Sequence, residues 1–291
     1  CQAFVAEREK KRTTPSSYGH VVHLDIRHLG EKKIDKKLPF VRELSKNYAG
    51  IDPVYEPIPV RPVVHYMMGG IDTDINGATS LPGLYAAGEC ACVSINGANR
   101  LGSNSLTELL VFGGRAGKAA ARFALDAPQL DKDSLELQTA DEQNRIIRNF
   151  FRREGGTERI FSLRNEMNET METSAGIYRS EKSLKETCDK IKELKDRFAN
   201  IVLEDKSLNF NTELTSALEL EFMLDVAEAI AYSALKRTES RGSHQRSDFP
   251  ERDDENFLKH SMAYQTNTKP RIDYKDVVIT KWPPGERVYG K

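Results

Sequence analysis

Between Arg61 and Gly117 the chain gathers side chains suited to gripping anions and sugar-like hydroxyls. Arg100 stands in the step Asn99-Arg100-Leu101, where little argues for a solvated linker. Its planar guanidinium forks bidentately onto carboxylates. His65 lies in the extended run VVHYMMGG, flanked by apolar residues. There it is either a satisfied core imidazole or a donor to a bound anion. Glu89 follows Gly88 at the end of GLYAAGE. If LYAA (84–87) is a buried strand, a carboxylate at its carboxyl end points into the usual ligand crevice of an α/β sheet. It can accept from ribose or ribitol hydroxyls, although a helix cap or salt bridge explains it as well.

Ser105-Leu106-Thr107-Glu108 has the S-x-x-E spacing of a capping box before an apolar helical run. A helix start carries about half a positive charge and suits an anion or an electron-rich carbonyl. The N1 and C2-carbonyl edge of a reduced flavin is such a group. A well-capped helix without a ligand shows the same letters.

Other chemistries find little support. His20, His23, His28, His244 and His260 show no metal-ligand spacing, and there is no G-x-S-x-G nucleophile turn. Cys1, Cys90, Cys92 and Cys188 form neither a disulfide framework nor a paired C-x-x-C zinc set, which suits a reducing cytoplasm. A net charge of −1 gives no electrostatic reason to expect nucleic acid or an anionic membrane as partner. No run approaches the roughly 18 apolar residues of a membrane-spanning helix. There is no G-x-G-x-x-G to cradle a dinucleotide pyrophosphate, so these residues form half a site at most.

The elements that position them follow from pattern. The chain has 291 residues, 38% hydrophobic and 30% charged, enough for about two globular domains. Residues 1–58 read as a charged helix (AFVAEREKKR) and a strand at 21–26 (VVHLDI). The Pro-rich passage from Pro53 to Pro62 reads as an extended connector. Residues 60–125 switch between strand-like and helix-like patterns, as α/β units do. A helix over 105–125 carries Leu106, Leu109, Leu110, Phe112, Ala116, Ala120 and Phe123 on or near one face.

From about 131 to 240 Gly becomes rare and helix formers dominate. Leu184, Thr187, Cys188, Ile191, Leu194 and Phe198 recur at helical spacing, as do Leu214, Leu218, Phe222, Val226 and Ile230. Three or four antiparallel helices in a bundle are expected. Residues 241–291 are broken by Pro250, Pro270, Pro283 and Pro284 around one expected strand, DVVIT at 276–280.

Several long segments go beyond pattern. HYMMGG, GLYAAGE, NGANRLGSNSLTELLVFGGRAG, TESRGSHQRSDFPERDDENFLKH and VVITKWPPGERVYG together resemble the flavoprotein subunit of fumarate reductase and succinate dehydrogenase. The resemblance runs in one register from Cys1 to Lys291. EPIPVRP, RDDENFLKH and the closing RVYG resemble the quinol:fumarate reductase branch more than succinate dehydrogenase.

The resemblance implies an α/β plus all-α architecture. Residues 1–58 would be the end of a capping domain, and 59–126 the returning half of a partial FAD-binding α/β domain. Residues 127–240 would be the helical bundle and 241–291 a small C-terminal domain. It implies FAD as cofactor, with Glu89 on the ribityl chain and Ser105 and Leu106 at the isoalloxazine. His65 and Arg100 would bind the dicarboxylate, fumarate or succinate. The family's dinucleotide fingerprint, the His that carries FAD covalently and the proton-donating Arg fall upstream of Cys1. No catalytic residue is therefore assignable here, and the chain is expected to be a C-terminal piece, inactive and colourless alone. The implied partners are an iron–sulfur subunit and, through it, membrane anchor subunits. The implied location is the cytoplasmic face of the inner membrane. An L-aspartate oxidase-like flavoenzyme shares the GANRL-SNSL core, and a non-catalytic assembly module is the reading from a different class.

Overall fold

The run AEREKKR makes a helix with nothing to bury: α1 (Gln2–Glu9) has no buried residue, and Arg12 folds back onto Glu7 at 2.9 Å. This helix opens the computed structural model, which describes residues 1–16, 19–128 and 130–285. They form two units, Cys1–Tyr66 and a second from Met67 onward.

In the first unit, strands β1 (Thr14–Ser16), β2 (Gly19–Leu24) and β3 (Ile58–Val60) pair antiparallel in that order. The expected connector from Pro53 to Pro62 thus contains a strand. Pro59 lies opposite His23, and β3 is an edge, where a missing N–H is tolerated. Two short helices follow β2 in sequence, α2 (Glu31–Lys37) and α3 (Pro39–Leu44), the latter starting on a proline whose fixed φ suits a first helical position. Ile26, Ile34 and Ile58 form the core, padded by Leu29, Leu38, Val41, Val54 and Val60. Arg42 grips Asp52 through both Nε (3.1 Å) and Nη2 (2.8 Å) and reaches Asp35 at 2.7 Å.

The second unit begins with a minimal parallel pair, β4 (Ile71–Asp72) and β5 (Ala91–Cys92). LYAA is not a strand: Tyr85 makes a single bridge to Ala78, and the surrounding backbone turns at Gly83 and Gly88. The long helix α4 (Asn104–Asp126) lies against this irregular backbone. At Gly77 the approach is close enough that a Cβ would sit 2.6 Å from the Ala116 Cβ, with φ at +75°. Arg115 fixes the same contact by donating to the Ile75 carbonyl (2.7 Å) and to Asn76 Oδ1 (2.9 Å).

The bundle follows as α5 (Lys132–Ile146), α6 (Ile160–Ser174), α7 (Glu181–Phe198) and α8 (Thr212–Lys236). Helix α5 buries no residue; the wide turn after it, Ile147–Phe151, inserts Phe150. Leu163, Met167, Ile191, Leu194, Ile201, Leu220 and Leu224 belong to one core. On α7 the expected stripe is the buried one. On α8 it is rotated: Ala217, Leu220, Leu224, Ala227, Ala231 and Ala234 face in, while Phe222 and Val226 are exposed. The alanines let α7 approach closely, so the buried face of α8 is its small-residue face rather than its largest apolar one.

The chain ends in the short helix α9 (Asp254–Phe257) and the hairpin β6 (Lys259–Tyr264) and β7 (Arg271–Asp276). The expected strand at 276–280 is displaced toward the N-terminus: the ladder joins KHSMAY to RIDYKD, and Val277–Thr280 lie beyond it. The motif RVYG falls outside the described residues.

Candidate functional site

Arg100 sits on the loop between β5 and α4, and that loop is fastened at several points. Ser94, held at φ +73°, shares a 2.8 Å hydrogen bond with His260 Nε2 on β6. Asn96 Nδ2 donates to the buried Glu108 Oε2 at 2.6 Å. The Ala98 carbonyl accepts twice from Ser243, from its backbone N–H at 2.9 Å and its hydroxyl at 2.8 Å. Arg100 itself is half-buried, and its Nη1 donates to the Leu101 carbonyl at 3.0 Å.

The loop enters α4 through Ser103 in the left-handed region, φ +62°. This overturns the capping box expected at Ser105. The helix starts one residue earlier, at Asn104, and its N-cap, Ser103, makes no side-chain cap bond. Glu108 turns inward to Asn96 instead of back to the helix start. Helices α7 and α8, in contrast, are closed by Ser180 onto the Ser183 N–H and by Asn211 onto the Leu214 N–H. The first turn of α4, with Ser105 half-buried and Leu106 65% exposed, therefore presents amides that no cap side chain occupies. Such a terminus favours an acceptor carrying negative charge.

Glu89 does not close a strand. It lies in the Gly88–Cys90 turn that leads into β5, and Oε1 accepts from the Met67 backbone N–H at 3.0 Å. A carboxylate has room for further donors on its second oxygen. His65 belongs to the first unit, exposed, in the extended segment after β3. Glu89, Arg100, Ser105 and Leu106 all belong to the second unit. The loop thus places a guanidinium a few residues before an uncapped helix start, two groups that each suit an anionic acceptor.

Sequence reasoning missed the residues that hold this loop. Asn96, Ser94 and Ser243 lie outside any periodic element, so no pattern marks them. The polar string TESRGSHQRSD was visible, but not what it packs against. Within it Glu239, wholly buried, takes Arg237 at 2.9 Å and Arg241 at 2.8 Å. His244 is buried between Arg179, whose Nη1 lies 3.0 Å from Nδ1, and the Arg237 carbonyl, 3.0 Å from Nε2. A carbonyl only accepts, so Nε2 carries the proton and Nδ1 accepts from Arg179. Burial pushes this imidazole down to about 4, and the Arg237 carbonyl opposes the shift.

Comparison with known proteins finds relatives along the whole chain. Residues 2–106 match a family described as an FAD binding domain, and residues 164–289 match the fumarate reductase flavoprotein C-terminal family. A fumarate reductase flavoprotein subunit of Mycobacterium tuberculosis is 57% identical over all of this chain and 50% of its own length. A succinate dehydrogenase flavoprotein subunit of Rickettsia conorii is 39% identical over 92% of this chain and 48% of its own. A solved variant of the E. coli quinol fumarate reductase FrdA superposes with a TM-score of 0.92 at 48% identity, covering 99% of this chain and 49% of that one. The chain spans about half the length of the curated relatives it matches. Two family matches along one chain, high identity and a shared α/β-plus-helical fold place it plainly: this chain belongs to the fumarate reductase/succinate dehydrogenase flavoprotein subunit family, a family with an FAD-binding domain.

Proposed function

We propose that the chain is part of a flavoprotein subunit that interconverts fumarate and succinate, exchanging electrons with an iron–sulfur subunit and a quinone. The observation that carries this reading is the loop geometry: Arg100 precedes, on one fastened loop, an α4 start without a side-chain cap. In this reading residues 1–58 close a capping domain and 59–126 form the returning half of the flavin domain. Residues 127–240 are the helical domain and 241–291 the C-terminal one. FAD, when bound, supplies the hydride. The amides of Ser105 and Leu106 hold its pyrimidine edge, and their uncapped state fits a group with charge on a carbonyl oxygen. Glu89 accepts from ribityl hydroxyls with the oxygen that Met67 leaves open. Arg100 anchors a carboxylate of the substrate and polarises the alkene beside it. A buried dianion demands such partners, because unpaired charge in a low-dielectric pocket costs several kcal/mol.

Among the described residues no helix is long and apolar enough to cross a membrane. Attachment to the cytoplasmic face of the membrane is assigned to the partner and anchor subunits. The test is the complete subunit, purified with its iron–sulfur partner and assayed for fumarate-dependent oxidation of a reduced dye. Flavin absorbance with fumarate turnover is the expected result. Flavin with L-aspartate oxidation instead would reassign the chain to the aspartate oxidases, and a colourless complete subunit would reject the flavin site.

A further inference from the structure

We propose that the turn Arg241–His244 is a positioning element for Arg100, and that Gly242 is the residue on which it depends; the proposal rests on the reading of Arg100 as a substrate ligand. The turn is rigid by construction. Arg241 and His244 exchange both backbone hydrogen bonds, at 2.8 and 3.0 Å. The Arg241 guanidinium is locked by Glu239 and Asp254 (2.6 Å), and the His244 ring by Arg179 and the Arg237 carbonyl. What this turn presents outward is Gly242 and Ser243, and both meet one group, the Ala98 carbonyl.

The contact admits only glycine at position 242. Its φ is +57°, and a Cβ there would stand 2.5 Å from the Ala98 oxygen and 2.7 Å from its carbon. Ser243 then supplies two donors to the same oxygen. Ala98 is two residues from Arg100, so a Cβ at 242 pushes directly on the backbone that aims the guanidinium. The other fastenings, Ser94 with His260 and Asn96 with Glu108, lie on the far side of Ala98 from Arg100. The Ser243 contact thus fixes, from another element, the backbone two residues before the arginine. The C-terminal region thereby sets the geometry of a substrate ligand it does not contain.

The experiment uses the complete, flavin-loaded subunit with Gly242→Ala and Arg100→Ala, singly and together. A displacement of about 1 Å at a binding group costs up to about 100-fold, so Gly242→Ala is expected to raise the KM for fumarate about tenfold or more with flavin content unchanged. In the Arg100→Ala background the same change is expected to shift kcat/KM by less than about twofold, because coupled residues are not additive. Equal, additive losses in both backgrounds would overturn the proposal in favour of a merely structural role. Wild-type kcat/KM in Arg100→Ala rejects the substrate role and the positioning role with it. A collapse in Arg100→Ala beside an unchanged KM in Gly242→Ala rejects positioning alone. If Gly242→Ala does not fold, Ser243→Ala decides: it removes one of two donors without strain. A raised KM restored by Ser243→Thr supports the proposal, and a wild-type KM in Ser243→Ala overturns it.

Discussion

Asn96 reaches across from the loop before α4 to Glu108 inside the helix, Nδ2 to Oε2 at 2.6 Å, and Glu108 is only 1% exposed. The relationship explains why S-x-x-E fails to close as a cap: its glutamate is drawn inward by the half-buried Asn96 amide. Asn96→Ala removes that donor from a buried carboxyl. The expected loss is about 1–3 kcal/mol, the cost of an under-satisfied buried polar group. Urea unfolding followed by circular dichroism measures it, and a midpoint equal to wild type would show that the pair contributes nothing.

Helix existence was legible, because periodicity reports local preference, and α7 shows even the buried stripe read correctly at Leu184, Cys188, Ile191 and Leu194. Cap chemistry was not legible, since Ser103, Ser105 and Glu108 offer rival partners and the choice is made by Asn96, a loop residue. Strand reading failed at 84–87 for a related reason. Four apolar residues between glycines suit a strand, but here Ala86 donates to the Gly77 carbonyl and Leu84 bonds to Leu81 and Thr79, all within local turns. The identity of Arg100 as a fastened loop residue rests on Ser243, far along the chain, and no local window contains both.

Helix α8 reads by packing rather than by size. Leu220 is fully buried against the core containing Leu163, Ile191 and Leu194, while the larger Phe222 on the same helix is 62% exposed. Leu220→Ala is expected to cost about 2–5 kcal/mol, the transfer term plus a cavity. Phe222→Ala, removing more atoms, is expected to cost less than Leu220→Ala. Denaturation midpoints of the two variants test the order, and a reversed order would mean that α8 presents its other face to the bundle.

His244 ties stability to pH. Buried and neutral in the folded chain, with Arg179, Arg237 and Arg246 around it, it titrates at about 4 rather than near its ordinary 6.5. The unfolded chain therefore binds more protons between these values, and stability rises with pH across that window. On acidification the contribution is lost progressively from about 6.5 down to about 4, amounting to roughly 3 kcal/mol. His244→Gln keeps a polar side chain without titration and is expected to flatten the slope of stability against pH between 4 and 6.5. A variant with the wild-type slope would place that pH dependence elsewhere.

Arg100→Ala in the complete subunit tests the substrate role most directly. An arginine fork lost from a water-excluded site leaves a carboxylate unpaired, a loss of about 3–5 kcal/mol. That corresponds to kcat/KM for fumarate falling by two to four orders of magnitude, at about 1.4 kcal/mol per tenfold. Arg100→Lys keeps the charge but not the planar fork, so it is expected to recover only part of the loss. The flavin spectrum should be unchanged in both, because the FAD contacts are assigned to Glu89, Ser105 and Leu106 instead. An Arg100→Ala subunit that retains more than about a tenth of wild-type turnover at low fumarate would remove the arginine from the substrate pocket, since a lost fork of this kind costs more than tenfold.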